Sequence, residues 1–174
     1  MIDFITSKLG LLIAAMLMLA MLGSLLHLMN STAEQKGYQR VADDLASILS
    51  QIDGSPGEMN ATLVFDHSDE TLGIHFPRAI GGESYTISLY TGSVVIYDAD
   101  GGYRAQAHIS GEVHGWTECE GSNPTVGLSS QNVTDCDGEE PWTFPTRQTL
   151  ILEVNHEIVL VDSEEILLTL VRRK

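Results

Sequence analysis

Hydrophobic and polar positions change rhythm twice along this chain. From Leu9 to Met29 (LGLLIAAMLMLAMLGSLLHLM) the residues are almost continuously apolar, and no charge interrupts the run between Lys8 and Glu34. Twenty-one residues at about 1.5 Å per residue make a helix that crosses a ~30 Å hydrocarbon core. Beyond a polar step at Asn30-Ser31-Thr32, apolar residues recur every three or four positions: Tyr38, Val41, Leu45, Ile48, Leu49 and Ile52, with Ala42 and Ala46 beside them. That spacing predicts an amphipathic helix over 30–53, with Gly37 a point at which it can bend. Asp53-Gly54-Ser55-Pro56-Gly57 ends it, because glycine releases the helix and proline forbids its continuation.

After Asn60 the period drops to two. Turn residues arrive every eight to twelve positions, and strands are predicted at Thr62–Phe65, Leu72–Phe76, Tyr85–Tyr90, Val94–Tyr97, Tyr103–Ile109, Thr149–Val154, Glu157–Val161 and Ile166–Val171. Thr91-Gly92 and Asp100-Gly101-Gly102 supply hairpin turns. The stretch 110–148, with three prolines, Trp116, Trp142 and both cysteines, breaks the rhythm and is expected to be one long loop. The predicted fold class is α+β: a long N-terminal hydrophobic helix followed by an antiparallel β-sandwich-like domain. The divisions are a short leader 1–8, an apolar helix 9–29, an amphipathic extension 30–53 and a β domain 60–174.

Charge narrows the partners. The chain has 174 residues and a net charge of -15; residues 1–52 hold three cations against four carboxylates, so almost all the excess lies in the β domain. A field of that sign repels phosphate, which argues against nucleic acid and anionic lipid headgroups as ligands of this domain. Lys8 on one side of the apolar run, and Lys36 and Arg40 on the other, leave the positive-inside count undecided.

Cys119 and Cys136 are separated by sixteen intervening residues in a polar segment, and a disulfide there is expected in an oxidising compartment, where it would contribute about 3 kcal/mol. Sequons at Asn30, Asn60 and Asn132 point to the same exterior side as glycosylation candidates. Together they place the C-terminal domain outside a cell membrane crossed once. Three fates compete for the leader: an uncut anchor, cleavage near Lys8-Leu9-Gly10 so that the apolar run begins the mature chain, and secretion after cleavage near Ser31-Thr32-Ala33.

Catalytic and metal chemistry find little support. Asp98-Ala99-Asp100-Gly101 begins like a calcium loop but lacks the later acidic ligand, and a hairpin turn explains it equally. Asp135, Asp137, Glu139 and Glu140 form an acidic cluster in the cysteine loop that a solvated surface accounts for. The six histidines lack metal-ligand spacing, and no nucleophile elbow, phosphate loop or dinucleotide fingerprint is present. No catalytic, metal or cofactor-binding residue is therefore expected, and the function class is structural. Trp116 and Trp142 either cap the core or offer an aromatic contact.

A short leader, an apolar helix of about twenty residues, an amphipathic extension and a β domain together resemble the type IV pilin superfamily, particularly its archaeal pilin-like and archaellin-like branch. The segment Phe76-Pro77-Arg78-Ala79-Ile80-Gly81-Gly82-Glu83-Ser84-Tyr85-Thr86-Ile87 is similar to one found in archaeal pilin-like membrane proteins. The resemblance implies a cell-surface filament subunit working by assembly and adhesion, anchored or assembled through its first helix, with an extracellular filament as its destination. A membrane accessory protein that presents its β domain to an envelope partner is the alternative. Small residues at Gly10, Ala14, Ala15, Ala20, Gly23 and Ser24 offer close-packing positions for helix association. Membrane lipid, copies of the chain and other pilin-like subunits are the expected partners.

Overall fold

The computed structural model describes residues 2–66, 73–116, 141–161 and 164–173. The chain divides into two compact units, Met1–Lys36 and Gly37–Lys174. One helix, α1 (Ile2–Asp53), contributes to both.

Within the first unit the apolar residues of α1 are exposed, from Ile13 at 51% to Leu11 at 73%. By length and composition this segment can cross a membrane. The polar step at Asn30-Ser31-Thr32 does not end the helix. Ser31 Oγ and Thr32 Oγ1 donate to the Leu28 carbonyl at 3.0 and 2.8 Å, and Asn30 Nδ2 donates to Glu34 Oε1 at 2.6 Å. Side chains that compete with helix elsewhere here bond back along it. The segments predicted at 9–29 and 30–53 are thus parts of one helix.

Gly37 lies within the helix. A Cβ at this position would lie 2.8 Å from Ile80 Cγ2, and glycine serves close approach there. From Tyr38 the helix buries the predicted stripe: Tyr38, Val41, Ala42, Leu45, Ala46, Leu49 and Ile52 are buried, and Arg40, Asp43, Asp44 and Ser47 are exposed. Gly54 N donates to Ser50 O at 3.0 Å and Ser55 N to Ile52 O at 3.1 Å, closing the helix at the expected place.

Among the described residues ten strands follow: β1 (Met59–Phe65), β2 (Ile74–Phe76), β3 (Ala79–Ile80), β4 (Glu83–Tyr90), β5 (Ser93–Asp98), β6 (Tyr103–His108), β7 (Val113–Trp116), β8 (Trp142–Pro145), β9 (Leu150–Val161) and β10 (Glu164–Arg173). One sheet has the order β2-β1-β9-β10-β7; the other runs β3-β4-β5-β6, with β8 also paired to β4. The alternation expected of half-buried strands is present. Tyr85, Ile87 and Leu89 of β4, Val94 and Ile96 of β5, Leu63 and Phe65 of β1, and Leu150, Leu152 and Val154 of β9 share one core with the helix stripe. This is the expected α+β, sandwich-like arrangement. Gly81 and Gly82, both at positive φ (64° and 89°), form the two-residue turn between β3 and β4.

Three expectations change. β1 pairs with β2, and β10 with β7, in parallel, so the first sheet is mixed. The strands predicted at Thr149–Val154 and Glu157–Val161 are one, because Asn155 and His156 lie within the ladder opposite Asn60 and Met59. The expected loop 110–148 contributes β7 and β8 to the two sheets. Trp142 caps the core, being 6% exposed. The acidic cluster at 135–140 and both cysteines lie outside the described residues, as do residues 117–140 generally.

Burial fixes one ionisation state in this core. Tyr85 lies edge-on to Tyr38 at 6.2 Å and donates its hydroxyl to the Pro77 carbonyl at 2.5 Å. Burial, and next the neighbouring Tyr38, push its phenol far above the ordinary tyrosine range, so it stays neutral.

Candidate functional surfaces

The residues expected to carry assembly lie on α1. Ala14, Ala15, Ala20, Gly23 and Ser24 are all exposed, and an added Cβ at Gly23 would meet nothing within 4 Å. Gly10 lies in the same helix. At 100° per residue, Gly10, Ala14, Ala20 and Ser24 fall within one stripe, with Ala15 and Gly23 on the far side.

The Asp98 turn shows what its carboxylates do. Asp98 Oδ1 accepts from Gly102 N at 2.6 Å and Asp100 N at 3.0 Å, while Oδ2 accepts from Arg104 Nε at 2.9 Å and pairs with its terminal nitrogen at 2.8 Å. The carboxylate is filled by donors of its own hairpin, which is the work of a turn brace. A Cβ on Gly102 would sit 2.7 Å from Asp98 Oδ2, so the brace requires glycine there. Arg104 also lies over the Tyr38 ring, 5.8 Å from its centroid, which couples the hairpin to the helix.

The Gly102 N–H is the largest influence on Asp98; aided by Asp100 N–H and Arg104, it outweighs desolvation and lowers the carboxyl below its ordinary range. A lowered folded value means that the resulting stability is present above the ordinary aspartate value near ~4 and fades as pH falls through the folded value. Wild type is therefore expected to exceed Asp98→Asn in urea midpoint at pH 7, with the gap narrowing steadily below about pH 4.

A second polar cluster was not visible in the sequence. Thr169 Oγ1 donates to Asp53 Oδ1 at 2.7 Å and lies 2.8 Å from His156 Nδ1; His156 Nε2 is 3.1 Å from the Ser55 carbonyl. The residue types suggest an acid-base relay, but the hydroxyl stands between carboxylate and imidazole and Thr169 is 0% exposed, so no substrate can reach it. The cluster ties the last residue of α1 to β9 and β10. Asp53→Ala is expected to lower stability by about 1.5–3 kcal/mol through loss of the charged acceptor of the Thr169 hydroxyl, measured by urea unfolding. The sequence offered one hint: a histidine and a threonine inside otherwise aliphatic strands.

Among the described residues, no group of three or more His, Cys, Asp or Glu could hold a metal ion. Asn30 and Asn60 are exposed, the latter donating from Nδ2 to Asn155 Oδ1 at 2.8 Å; Asn132 lies outside the described residues. No known protein family, characterised protein or solved structure significantly matches the chain.

Proposed function

We propose that this chain is a single-pass, membrane-anchored surface protein of the pilin-like type, whose work is assembly and adhesion. The observation that carries the reading is the change of character within α1: apolar and exposed over Leu11–Met29, then buried along one stripe from Tyr38 to Ile52 in the core of a β domain. A helix apolar on every side has lipid or other apolar helices as its stable surroundings. The acidic β body is the part presented to solvent on the exterior side, and Cys119, Cys136 and the three sequons support that side.

The mature N terminus, determined by mass spectrometry of protein recovered from native membranes or shed material, tests this. A start within a few residues of Gly10, together with filaments in electron micrographs, is the expected result. A start at Met1 without filaments would replace it with a plain anchored accessory protein, and a start near Glu34 would remove the membrane reading altogether.

A further inference from the structure

Both ring nitrogens of buried His156 have partners, and those partners fix how many protons the cluster at the end of α1 holds. Hydrogen bonds run from Asp53 Oδ1 to Thr169 Oγ1, from Thr169 Oγ1 to His156 Nδ1, and from His156 Nε2 to the Ser55 carbonyl, at 2.7, 2.8 and 3.1 Å. Each contact needs one hydrogen between its heavy atoms. The Ser55 carbonyl only accepts, so Nε2 carries a proton. Thr169 has a single hydroxyl hydrogen and gives it to Asp53, so toward Nδ1 the hydroxyl accepts and the ring is again the donor.

A neutral imidazole supplies one hydrogen where two are needed. Either neutral tautomer sets two acceptors against each other, at Thr169 or at Ser55. Turning the hydroxyl toward Nδ1 only moves the fault to Asp53 Oδ1. Thr169 is 0% and His156 2% exposed, so water does not relieve the contact, and an unmade bond between buried polar groups is costly.

Among the described residues one compensating charge faces the ring. On the rung of His156, β1 presents Met59 and β10 presents Thr169, whose partner on β7 is Val113. None of the three ionises. Glu157, next in β9, faces the other side of the sheet, and Glu58 and Glu112, beside Met59 and Val113, are exposed. From α1 comes Asp53, its carboxylate so close to the Gly111 backbone that an added Cβ there would overlap Oδ2.

We propose that His156 is an imidazolium in the folded chain, held by the Asp53 carboxylate through the Thr169 hydroxyl, and that its second proton is a pH-sensitive latch between the end of α1 and strands β9 and β10. An unfolded histidine releases that proton near pH ~6.5. Above this value the unfolded chain binds fewer protons than the folded one, so stability falls as pH rises; below it the contribution is complete. Loss of the proton breaks one of the three bonds and loosens the helix end from the strands. The latch lies within the unit Gly37–Lys174 and stands or falls independently of membrane anchoring.

The test uses the full chain in detergent micelles with nitrogen-labelled histidine. By NMR at about pH 7.5, a pH unit above the ordinary histidine value, one histidine is expected to carry protons on both ring nitrogens. Its signal is expected to vanish in His156→Gln and to revert to a neutral ring in Asp53→Asn, whose amide oxygen still accepts from Thr169 but carries no charge. Urea unfolding gives a second readout. Relative to Asp53→Asn, the wild-type folding equilibrium constant is expected to fall by up to tenfold per pH unit above ~6.5, the dependence of one proton. The other five histidines are common to both proteins and cancel in the comparison. A folded wild type with every histidine neutral at that pH, or equal pH slopes in the two proteins, overturns the proposal. An imidazolium signal that persists in His156→Gln overturns it as well, and where glutamine prevents folding the Asp53→Asn comparison decides.

Discussion

Gly115→Ala is expected to destabilise the β body by about 3 kcal/mol, the upper part of the range for overpacking a filled core. A Cβ at Gly115 would lie 2.0 Å from Trp142 Cγ and 2.1 Å from Cδ2. Neither side can yield easily. Gly115 is fixed opposite Val171 in the β7–β10 ladder, and Trp142 is fixed opposite Leu89 in the β4–β8 ladder. The indole therefore lies over bare backbone where the two sheets approach, and one methyl group forces them apart. Urea unfolding followed by tryptophan fluorescence measures the loss. Gly115→Ala combined with Trp142→Leu should recover part of it, because the smaller side chain removes the obstacle; no recovery would place the strain elsewhere.

Gly37→Ala provides the contrast. Its Cβ would also come too close to a neighbour, Ile80 Cγ2 at 2.8 Å, but that atom ends a side chain that can turn. Alanine also favours a helix interior by about 1 kcal/mol over glycine. The two effects oppose, and a shift within about 1 kcal/mol of wild type is expected in the same urea experiment.

The contrast also shows which parts of this fold were readable from sequence. The buried stripe from Tyr38 to Ile52 follows from a 3.6-residue period, and the hairpins at Thr91-Gly92 and Asp100-Gly101-Gly102 follow from turn chemistry, because both are local properties. The continuity of α1 through Asn30-Ser31-Thr32 depends on whether hydroxyls bond back to Leu28 O or outward, which residue type alone does not decide. Asn155-His156 interrupts the apolar alternation of β9 in the sequence; in the ladder Asn60 and the Thr169–Asp53 cluster satisfy the pair. The short strands β7 and β8 have too few residues to show a period, and their place is set by partners far away in the sequence. Strand direction was equally hidden, since alternation is the same in parallel and antiparallel pairs.

Leu45→Ala is expected to produce the other large effect, a loss of about 2–5 kcal/mol in the stability of the body. Leu45 is 0% exposed and lies in the middle of the helix stripe within the core shared by both sheets. The cavity has little chance to collapse, because Ala42 and Ala46 beside it are already small and the strands around it are held in ladders. Leu19 supplies the comparison within the same helix: it is 69% exposed, and Leu19→Ala removes no packed contact from the body. Its urea midpoint should match wild type, whereas Leu17, Leu19, Leu22 and Leu26 changed together to serine should release the protein from membranes on alkaline extraction without moving that midpoint. If Leu45→Ala left stability unchanged, the C-terminal part of α1 would not be the core element described here. If the fourfold serine variant stayed membrane-bound, the apolar part would not be the anchor. The two measurements separate what one continuous helix contributes, a core for the β domain and an apolar surface for lipid or like helices.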